Sequence, residues 1–156
     1  MAQTNTEKTD LREQSLRRDF ERPDQSDATD EGGLTTADRI LEAVLSKKAI
    51  EPVLLDVREL CGYTDYLFIV SGRSDRQVNA ISDGVKESLA AHGVRPLGVE
   101  GKGSGQWALL DYGDVVLHVF HHPVRERYDL EGLWIDAKRV ELDVPEEARA
   151  GAEDLY

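Results

Sequence analysis

Apolar residues recur along this chain with two different periods, and each period predicts its own type of element. Helical spacing appears first after Thr35 and again after the capping box Ser74–Gln77. The apolar positions are Ile40, Leu41, Val44 and Leu45 in the first helix and Val78, Ile81, Val85 and Leu89 in the second. Gly93 follows the second run, and a glycine at such a place is typical of a helix end.

Five short apolar runs predict strands because they are rich in β-branched and aromatic residues. They cover residues 52–57, 65–71, 97–100, 106–111 and 115–120. The run over 65–71 is apolar almost throughout, so we expect it to be buried on both faces of the sheet. A last helix begins at Pro123 and ends near Glu131. The order α-β-β-α-β-β-β-α predicts an α/β (α+β) fold with one mixed five-stranded sheet and flanking helices.

The two ends of the chain differ from its centre. Residues 1–33 are polar and charged, so we expect a disordered acidic N-terminal tail, and residues 144–156 are expected to form a loose acidic C-terminal tail. The folded domain is therefore predicted over residues 34–143, a usual size for one domain. No apolar stretch has the length of a membrane span or the form of a signal peptide, which favours a cytoplasmic protein that makes no membrane contact.

The formal net charge of −12 narrows the classes of partner. Such a chain repels phosphate at long range, so neither broad nor sequence-specific nucleic-acid binding is expected. A basic protein is the favoured partner, because complementary charge accelerates encounter. The acidity has two possible origins. An ordinary acidic protein is slightly favoured over a halophilic source, in which an acidic surface remains hydrated at high salt.

The residues that could act in catalysis or bind a metal or a phosphate lack the neighbouring groups that such sites require. Cys61 is the single cysteine, so neither a disulfide framework nor a cysteine zinc site is expected. The glycines of Gly101–Gly105 precede a strand, whereas a phosphate loop precedes a helix, which favours a simple connection. His118 lies in an apolar strand and is expected to be a hydrogen-bonded core or interface residue, not a base. His121 and His122 point to opposite faces, so no metal site is predicted there, and no cofactor is expected.

The turn at Ser71-Gly72 supports one alternative of a different class. A Gly-Ser turn at a helix start can hold a nucleotide when paired carboxylates follow it, and Asp65 or Asp56 could bind the metal. No Asp-x-Asp pair follows, however, and Ser74 is already explained as a helix N-cap. A nucleotidyltransferase-like enzyme or nucleotide-binding protein is therefore the alternative, and a protein without enzymatic activity is the favoured interpretation.

Residues 107–134 hold both tryptophans and are the most informative segment. Tryptophan and tyrosine often anchor protein interfaces, so Trp107 and Tyr112 are candidate contacts. Asp111 and Asp114 flank the turn between the last two strands. They either hydrogen-bond the turn itself or form an acidic rim around the two aromatic rings. An interface role is favoured for Trp107, but it could also belong to the core, since its position before the turn does not settle which face it occupies.

An ordered set of motifs over residues 35–137 resembles the ribosomal silencing factor (Iojap-like) family. The motifs are Asp65-Tyr66, Ser71-Gly72-x-Ser74-x-Arg76-Gln77, Val99-Glu100-Gly101, Trp107-x-Leu109-Leu110-Asp111-Tyr112-Gly113-Asp114-Val115-Val116-x-His118-Val119-Phe120 and Arg125-x-x-Tyr128-x-Leu130-Glu131-x-Leu133-Trp134. Each motif is weak alone, and the ordered set is specific. The N-terminal tail lies outside the resemblance.

The resemblance implies a translational repressor that binds the large ribosomal subunit through ribosomal protein uL14 (L14). Such a factor blocks association with the small subunit and slows translation under nutrient limitation. The resemblance further implies a fold related to nucleotidyltransferases, a homodimer and no catalysis. The docking surface of the family corresponds here to Trp107, Tyr112, Gly113, Asp114, Asp111 and Glu100. Two positions depart from the pattern: Tyr112 can be aliphatic in relatives, and His121-His122-Pro123 replaces more polar residues.

Overall fold

The computed structural model describes residues 26–101 and 103–150, with side chains described for 32–101 and 103–149. The predicted tail over residues 1–25, the end of the chain from residue 151, and Lys102 of the glycine-rich connection lie outside the described residues.

One mixed sheet organises the described residues, with strand order β3-β4-β5-β2-β1-β6. The central strands β2 and β5 are parallel, and all other neighbours are antiparallel. The strands are β1 (Ile50–Asp56), β2 (Tyr66–Gly72), β3 (Gly98–Glu100), β4 (Trp107–Asp111), β5 (Val115–His121) and β6 (Lys138–Val140). The predicted mixed sheet with flanking helices is confirmed. The predicted count of five strands is wrong, because the short charged edge strand β6 carries no apolar alternation that would reveal it.

Five helices accompany the sheet in the part of the chain that the structure describes. They are α1 (Ser26–Ser46), α2 (Asp75–Ala90), α3 (His122–Tyr128), α4 (Leu130–Leu133) and α5 (Glu146–Ala150). Helices α1 and α2 pack together over one face of the sheet. The prediction for α2 is confirmed in detail: the Ser74 hydroxyl accepts a hydrogen bond from the Gln77 N–H at 3.1 Å, and all four predicted apolar positions are fully buried.

Helix α1 begins earlier than predicted. We expected a tail through Gly33 and a helix from Thr35, but the helix already runs from Ser26 and includes Gly33. A Cβ at Gly33 would lie 2.7 Å from Cε2 of Tyr66, so the glycine allows the helix to pass directly over that ring. This packing outweighs the low helix propensity of glycine, which was the basis of the prediction.

The C-terminal part of the domain also departs from expectation. The predicted single helix from Pro123 to Glu131 is divided at Asp129, whose φ of 48° is left-handed. Asp129 ends α3, and its carboxylate accepts a hydrogen bond from the Gly132 N–H at 3.2 Å, which begins α4. Aspartate tolerates this conformation better than most residues. Beyond residue 144, where a loose tail was expected, α5 contacts β1 and buries Ala148.

Candidate functional site

Strand β4 distributes its side chains between two faces of the sheet. Ala108 and Leu110 point into the core under α1 and α2, whereas Trp107 and Leu109 belong to the opposite face. Cross-strand partners share a face, and Leu109 is paired with Glu100 on β3 and with His118 on β5. We call this side of β3 and β4 the open face; it consists of Glu100, Trp107, Leu109 and Asp111, together with Tyr128 from α3.

An aromatic cluster forms the centre of the open face. The Trp107 ring lies 4.8 Å from the ring of Phe120 and 4.9 Å from the ring of Tyr128, measured between centroids. Phe120 is fully buried, Trp107 and Leu109 are half-buried, and Tyr128 remains 53% exposed. Trp107 therefore has one side in the core and one side available to a partner. Packing of Trp107 against the core is thus confirmed, and its contact with a partner stays a prediction.

His118 fixes the orientation of the Trp107 indole. The indole Nε1–H donates a hydrogen bond to Nδ1 of His118 at 3.0 Å. Burial lowers the pKa of His118 to about 4, so the imidazole is neutral at physiological pH and Nδ1 is free to accept. The prediction that His118 is a buried, hydrogen-bonded residue is confirmed. Its structural role is to hold the indole in one orientation.

Tyr112 lies in a different environment from Trp107. Its ring is buried among the side chains under α1 and α2, with an exposed fraction of only 9%. Burial raises the pKa of its phenol to about 12. The hydroxyl oxygen has no hydrogen-bond partner among the described residues. Trp107 and Tyr112 therefore lie on opposite faces of the sheet and do not form one aromatic centre.

The turn that contains Gly113 is bonded to the segment before β2. The Thr64 hydroxyl donates to the Gly113 carbonyl at 3.0 Å, and the Asp114 carbonyl accepts from the N–H groups of Asp65 and Tyr66. The Asp111 carboxylate accepts from the Gly113 N–H at 2.8 Å, as turn chemistry requires.

This turn follows the last residue of β4, whereas Trp107 is the first residue of that strand. Of the predicted contact residues, Trp107, Glu100 and Asp111 share the open face, with Trp107 and Asp111 at the two ends of β4. Tyr112 lies on the opposite face, and Gly113 and Asp114 belong to the turn that follows Asp111. Contact of the turn with a partner stays a prediction. Leu109 and Tyr128 also lie on the open face, but they were not among the contact residues predicted from the sequence. Period-two alternation was the available signal for Leu109, since residues 107, 109 and 111 share a face and residues 107 and 112 do not.

A buried polar centre lies behind the aromatic cluster. Arg125 is 5% exposed and donates to the Glu51 carbonyl at 2.7 Å, to the Ser71 hydroxyl at 2.9 Å and to the Glu131 carboxylate at 3.0 Å. His122 Nδ1 also lies 2.9 Å from the Ser71 hydroxyl. Burial opposes ionisation of Glu131, but the hydrogen bond and charge of Arg125 outweigh it, so the pKa of Glu131 is lowered. The network joins α3 and α4 to the ends of β1 and β2.

The buried polar centre includes Ser71, the residue on which the nucleotide-binding alternative depends. Ser71 is fully buried and bonded within the network, and Ser74 caps α2. Asp56 is bound by the Arg58 guanidinium at 2.7 Å and pairs with Tyr66, at the end of the sheet opposite Ser71. The proposed nucleotide turn and the proposed metal ligands are therefore at opposite ends of their strands.

Within residues 26–101 and 103–150, no group of three or more His, Cys, Asp or Glu side chains is arranged to hold a metal ion. Within the same ranges, no helix has the length and apolarity required to cross a membrane.

Comparison with known proteins gives one consistent result. A family model described as "Ribosomal silencing factor during starvation" matches residues 29–155. The ribosomal silencing factor of Bacillus subtilis is 40% identical over 106 residues, which are 67% of this chain and 90% of that protein. The chloroplastic protein Iojap of Zea mays is 30% identical and matches 70% of this chain and 47% of its own length.

Solved structures agree with the sequence relatives. A crystal structure of a Chromobacterium violaceum protein aligns with a TM-score of 0.64 and 34% identity, covering 72% of this chain and 92% of that chain. A crystal structure from Bacillus halodurans aligns with a TM-score of 0.62 and 37% identity, covering 68% of this chain and 96% of that chain. The resemblance found in the ordered motifs is thus confirmed, and the chain belongs to the ribosomal silencing factor family.

Proposed function

We propose that this protein is a cytoplasmic translational repressor that binds the large ribosomal subunit through ribosomal protein uL14 and prevents the small subunit from joining. The observation that carries the proposal is the open face itself. It presents a half-buried tryptophan in a fixed orientation, a half-buried leucine and an exposed tyrosine, with the carboxylates of Glu100 and Asp111 on the same side. Family membership supplies the kind of target, because the relatives carry the name of ribosomal silencing factors.

The physical character of this surface suits a basic protein partner. Aromatic side chains that are already fixed lose little conformational entropy on binding, so they make effective anchors. The carboxylates add attraction to lysine and arginine side chains, and ribosomal proteins are rich in both. Repression by this route requires only that a rigid body occupy the surface where the small subunit docks. A catalytic group is not needed.

The first experiment measures two steps separately. Binding to isolated uL14 is measured by a pull-down, and inhibition of subunit joining is measured by sedimentation of mixed subunits. The variant Glu100→Lys reverses an exposed charge on the open face, and Glu87→Lys makes the same change on an exposed position of α2. We expect Glu100→Lys to weaken uL14 binding roughly tenfold and to relieve the inhibition, while Glu87→Lys behaves as the wild type.

The outcomes discriminate clearly. A wild-type protein that does not sediment with large subunits contradicts the proposed function. Equal uL14 binding by the two lysine variants contradicts the use of the open face. Combination with Leu109→Ala removes the neighbouring apolar contact and is expected to deepen the defect of Glu100→Lys.

We also propose a homodimer formed by the end of α4 and the residues that follow it. Leu133 and Ile135 are 75% and 77% exposed, the largest exposed fractions among the described large hydrophobic side chains. Adjacent apolar side chains of this size are typical of a protein interface. Sedimentation velocity is expected to show a dimer that dissociates when both residues are replaced by serine. A wild-type monomer at micromolar concentration would contradict the dimer without affecting the proposal for uL14.

A further inference from the structure

Four exposed cations gather at one end of the domain. Lys47 and Lys48 occupy the turn between α1 and β1, Arg73 follows β2, and Arg76 lies in the first turn of α2. We call these four residues the basic cluster. They come from two separate segments of the chain, so their proximity is a property of the fold and not of the sequence.

Hydrogen bonds hold the two segments together. The Gln77 side-chain amide donates to the carbonyls of Lys47 and Lys48 at 3.1 and 2.9 Å. The Gln77 side-chain oxygen accepts from the Arg73 N–H, and the Arg73 guanidinium reaches the Lys48 carbonyl at 3.5 Å. A Cβ at Gly84 would lie 2.8 Å from Cε of Lys47, so the stem of that lysine lies along α2. The positions of the four residues are therefore set before any partner arrives.

The basic cluster is not neutralised from within the described protein. No Asp or Glu carboxylate of the described residues forms an ion pair with Lys47, Lys48, Arg73 or Arg76. By contrast, Arg58, Arg125 and Arg139 each have a carboxylate partner. Other exposed cations such as Arg95 and Lys138 also form no ion pair among the described residues, and the Asp75 carboxylate within the cluster accepts from the Arg76 main-chain N–H. What distinguishes the basic cluster is that four such cations lie together, which suits a partner with negative charge.

The basic cluster borders the open face. Trp107 pairs with Phe120, and Phe120 pairs with Ser71, so these three residues form one row across β4, β5 and β2. The row ends at Ser71, about 10 Å from Trp107 across two strand spacings, and Arg73 follows Ser71 by two residues, just past the end of β2. The connection before β4 also packs against the start of α2, since a Cβ at Gly105 would collide with Asp75.

We propose that the basic cluster binds the phosphate backbone of ribosomal RNA beside the protein docked on the open face. The inference rests on the proposed function, because it supplies the second contact of the same complex. Exposed lysines and arginines contact phosphates without reading the base sequence. A free nucleotide suits the site less well, since the adjacent Ser71 is buried and bonded and the four cationic residues are exposed.

With this contact, tight binding requires both the open face on the ribosomal protein and the basic cluster on RNA. Its overall negative charge weakens association with RNA alone, and the basic cluster gains phosphate contacts only when the open face has brought RNA to that end of the domain. The cluster thereby favours uL14 in the assembled subunit over free uL14.

The test compares two double variants of the full chain with equal net charge. Lys48→Gln/Arg76→Gln alters the basic cluster, and Arg95→Gln/Lys138→Gln alters two exposed cations at the other end of the sheet; both change the net charge from −12 to −14. Dissociation constants for purified large subunits are measured from roughly 50 to 200 mM salt. We expect the cluster variant to bind roughly tenfold more weakly at the lower salt and to reduce the slope of log K against log salt by about two. The control variant should retain the wild-type slope, and all three proteins should bind isolated uL14 equally.

Each result has a defined meaning. Equal slopes for the two double variants overturn the inference while leaving the proposed function intact. A cluster variant with weakened binding to isolated uL14 also overturns it, because the contact is then with protein. ATP with magnesium that raises the melting temperature of the wild type but not of the cluster variant overturns it in favour of a nucleotide. Failure of the wild type to bind large subunits overturns both proposals.

Discussion

The two faces of the sheet are built from different kinds of residue. The face under α1 and α2 is almost entirely apolar and almost entirely closed to solvent, with residues such as Phe68, Leu110 and Leu117 at the centre. The opposite face buries charged and polar groups, including Arg125 and His118, and leaves aromatic rings partly exposed beside them.

The two faces therefore differ in how they orient individual side chains. Burial of apolar area is not directional, so the helix-covered face stabilises the fold without holding polar groups in set directions. Hydrogen bonds are directional, and on the opposite face they fix particular groups: the indole of Trp107 through His118, and α3 through Arg125. A recognition surface needs such fixed positions. The four predictions that follow test this division.

The largest expected effect is the loss of the Arg125 network. Arg125→Met should lower the free energy of unfolding by about 3 kcal/mol, because the Glu51 carbonyl, the Ser71 hydroxyl and the Glu131 carboxylate lose a common donor. Arg127→Met, an exposed change on the same helix, is the control and should alter stability by less than about 0.5 kcal/mol. Urea unfolding measures both, and equal stabilities would show that the buried network is not stabilising.

Binding should respond to the two aromatic residues very differently. Trp107→Ala is expected to weaken binding to large subunits by 2 kcal/mol or more, roughly thirtyfold, since it removes the anchor of the open face. Tyr112→Phe should leave binding unchanged, because its hydroxyl lies in the helix-covered core. Circular dichroism establishes that each variant is folded. If Trp107→Ala unfolds the domain, Leu109→Ala tests the same surface. A binding defect in Tyr112→Phe would reverse the assignment of the two faces.

Acid should weaken the fold through His118. Its folded pKa, near 4, lies below the ordinary value of 6.5, so the unfolded chain binds the extra proton between these values. Stability is therefore full above the unfolded pKa and declines as the pH falls toward the folded pKa. The expected loss between pH 7 and pH 5 is roughly 2 kcal/mol. His118→Gln should show a shallower decline over the same range in urea unfolding. Parallel curves would mean that His118 titrates normally in the fold.

The smallest expected effect concerns the hydroxyl of Tyr112. The oxygen is buried without a hydrogen-bond partner among the described residues, and an unsatisfied buried hydroxyl is unfavourable. Tyr112→Phe should therefore raise the free energy of unfolding by about 1 kcal/mol. Thermal unfolding measures the change. A lower melting temperature would show that the hydroxyl contributes an interaction that stabilises the helix-covered face.

The parts of the fold that were predictable from sequence are those with strong local signals. The Ser74 cap, the apolar spacing of α2 and the continuous apolarity of β2 each specify their element without reference to the rest of the chain. The start of α1 was not predictable in this way. Gly32-Gly33 is a local signal against a helix, so it was taken as the end of the disordered tail. Only the ring of Tyr66, distant in sequence, explains why a helix continues through Gly33.

The candidate site was predictable in its residue types but not in its geometry. The family resemblance and the richness in aromatic residues identified Trp107, Glu100 and Asp111, which share the open face. Tyr112 was grouped with Trp107 because the two are close in sequence, whereas the strand places them on opposite faces. The basic cluster was not predicted, since its two segments carry no motif and come together only through Gln77.

The central parallel pair of strands has a kinetic consequence for the folding of this protein. β2 and β5 are joined by the intervening α2, β3 and β4, and the contact between Thr64 and Gly113 already spans 49 residues. Closing a loop of this length costs conformational entropy before the contacts form, so we expect the β2–β5 pair to form after the local β4–β5 hairpin. During synthesis, β2 emerges with a strongly apolar sequence and with β1 as its only available neighbour, so one edge of β2 is open to aggregation until β5 has been translated.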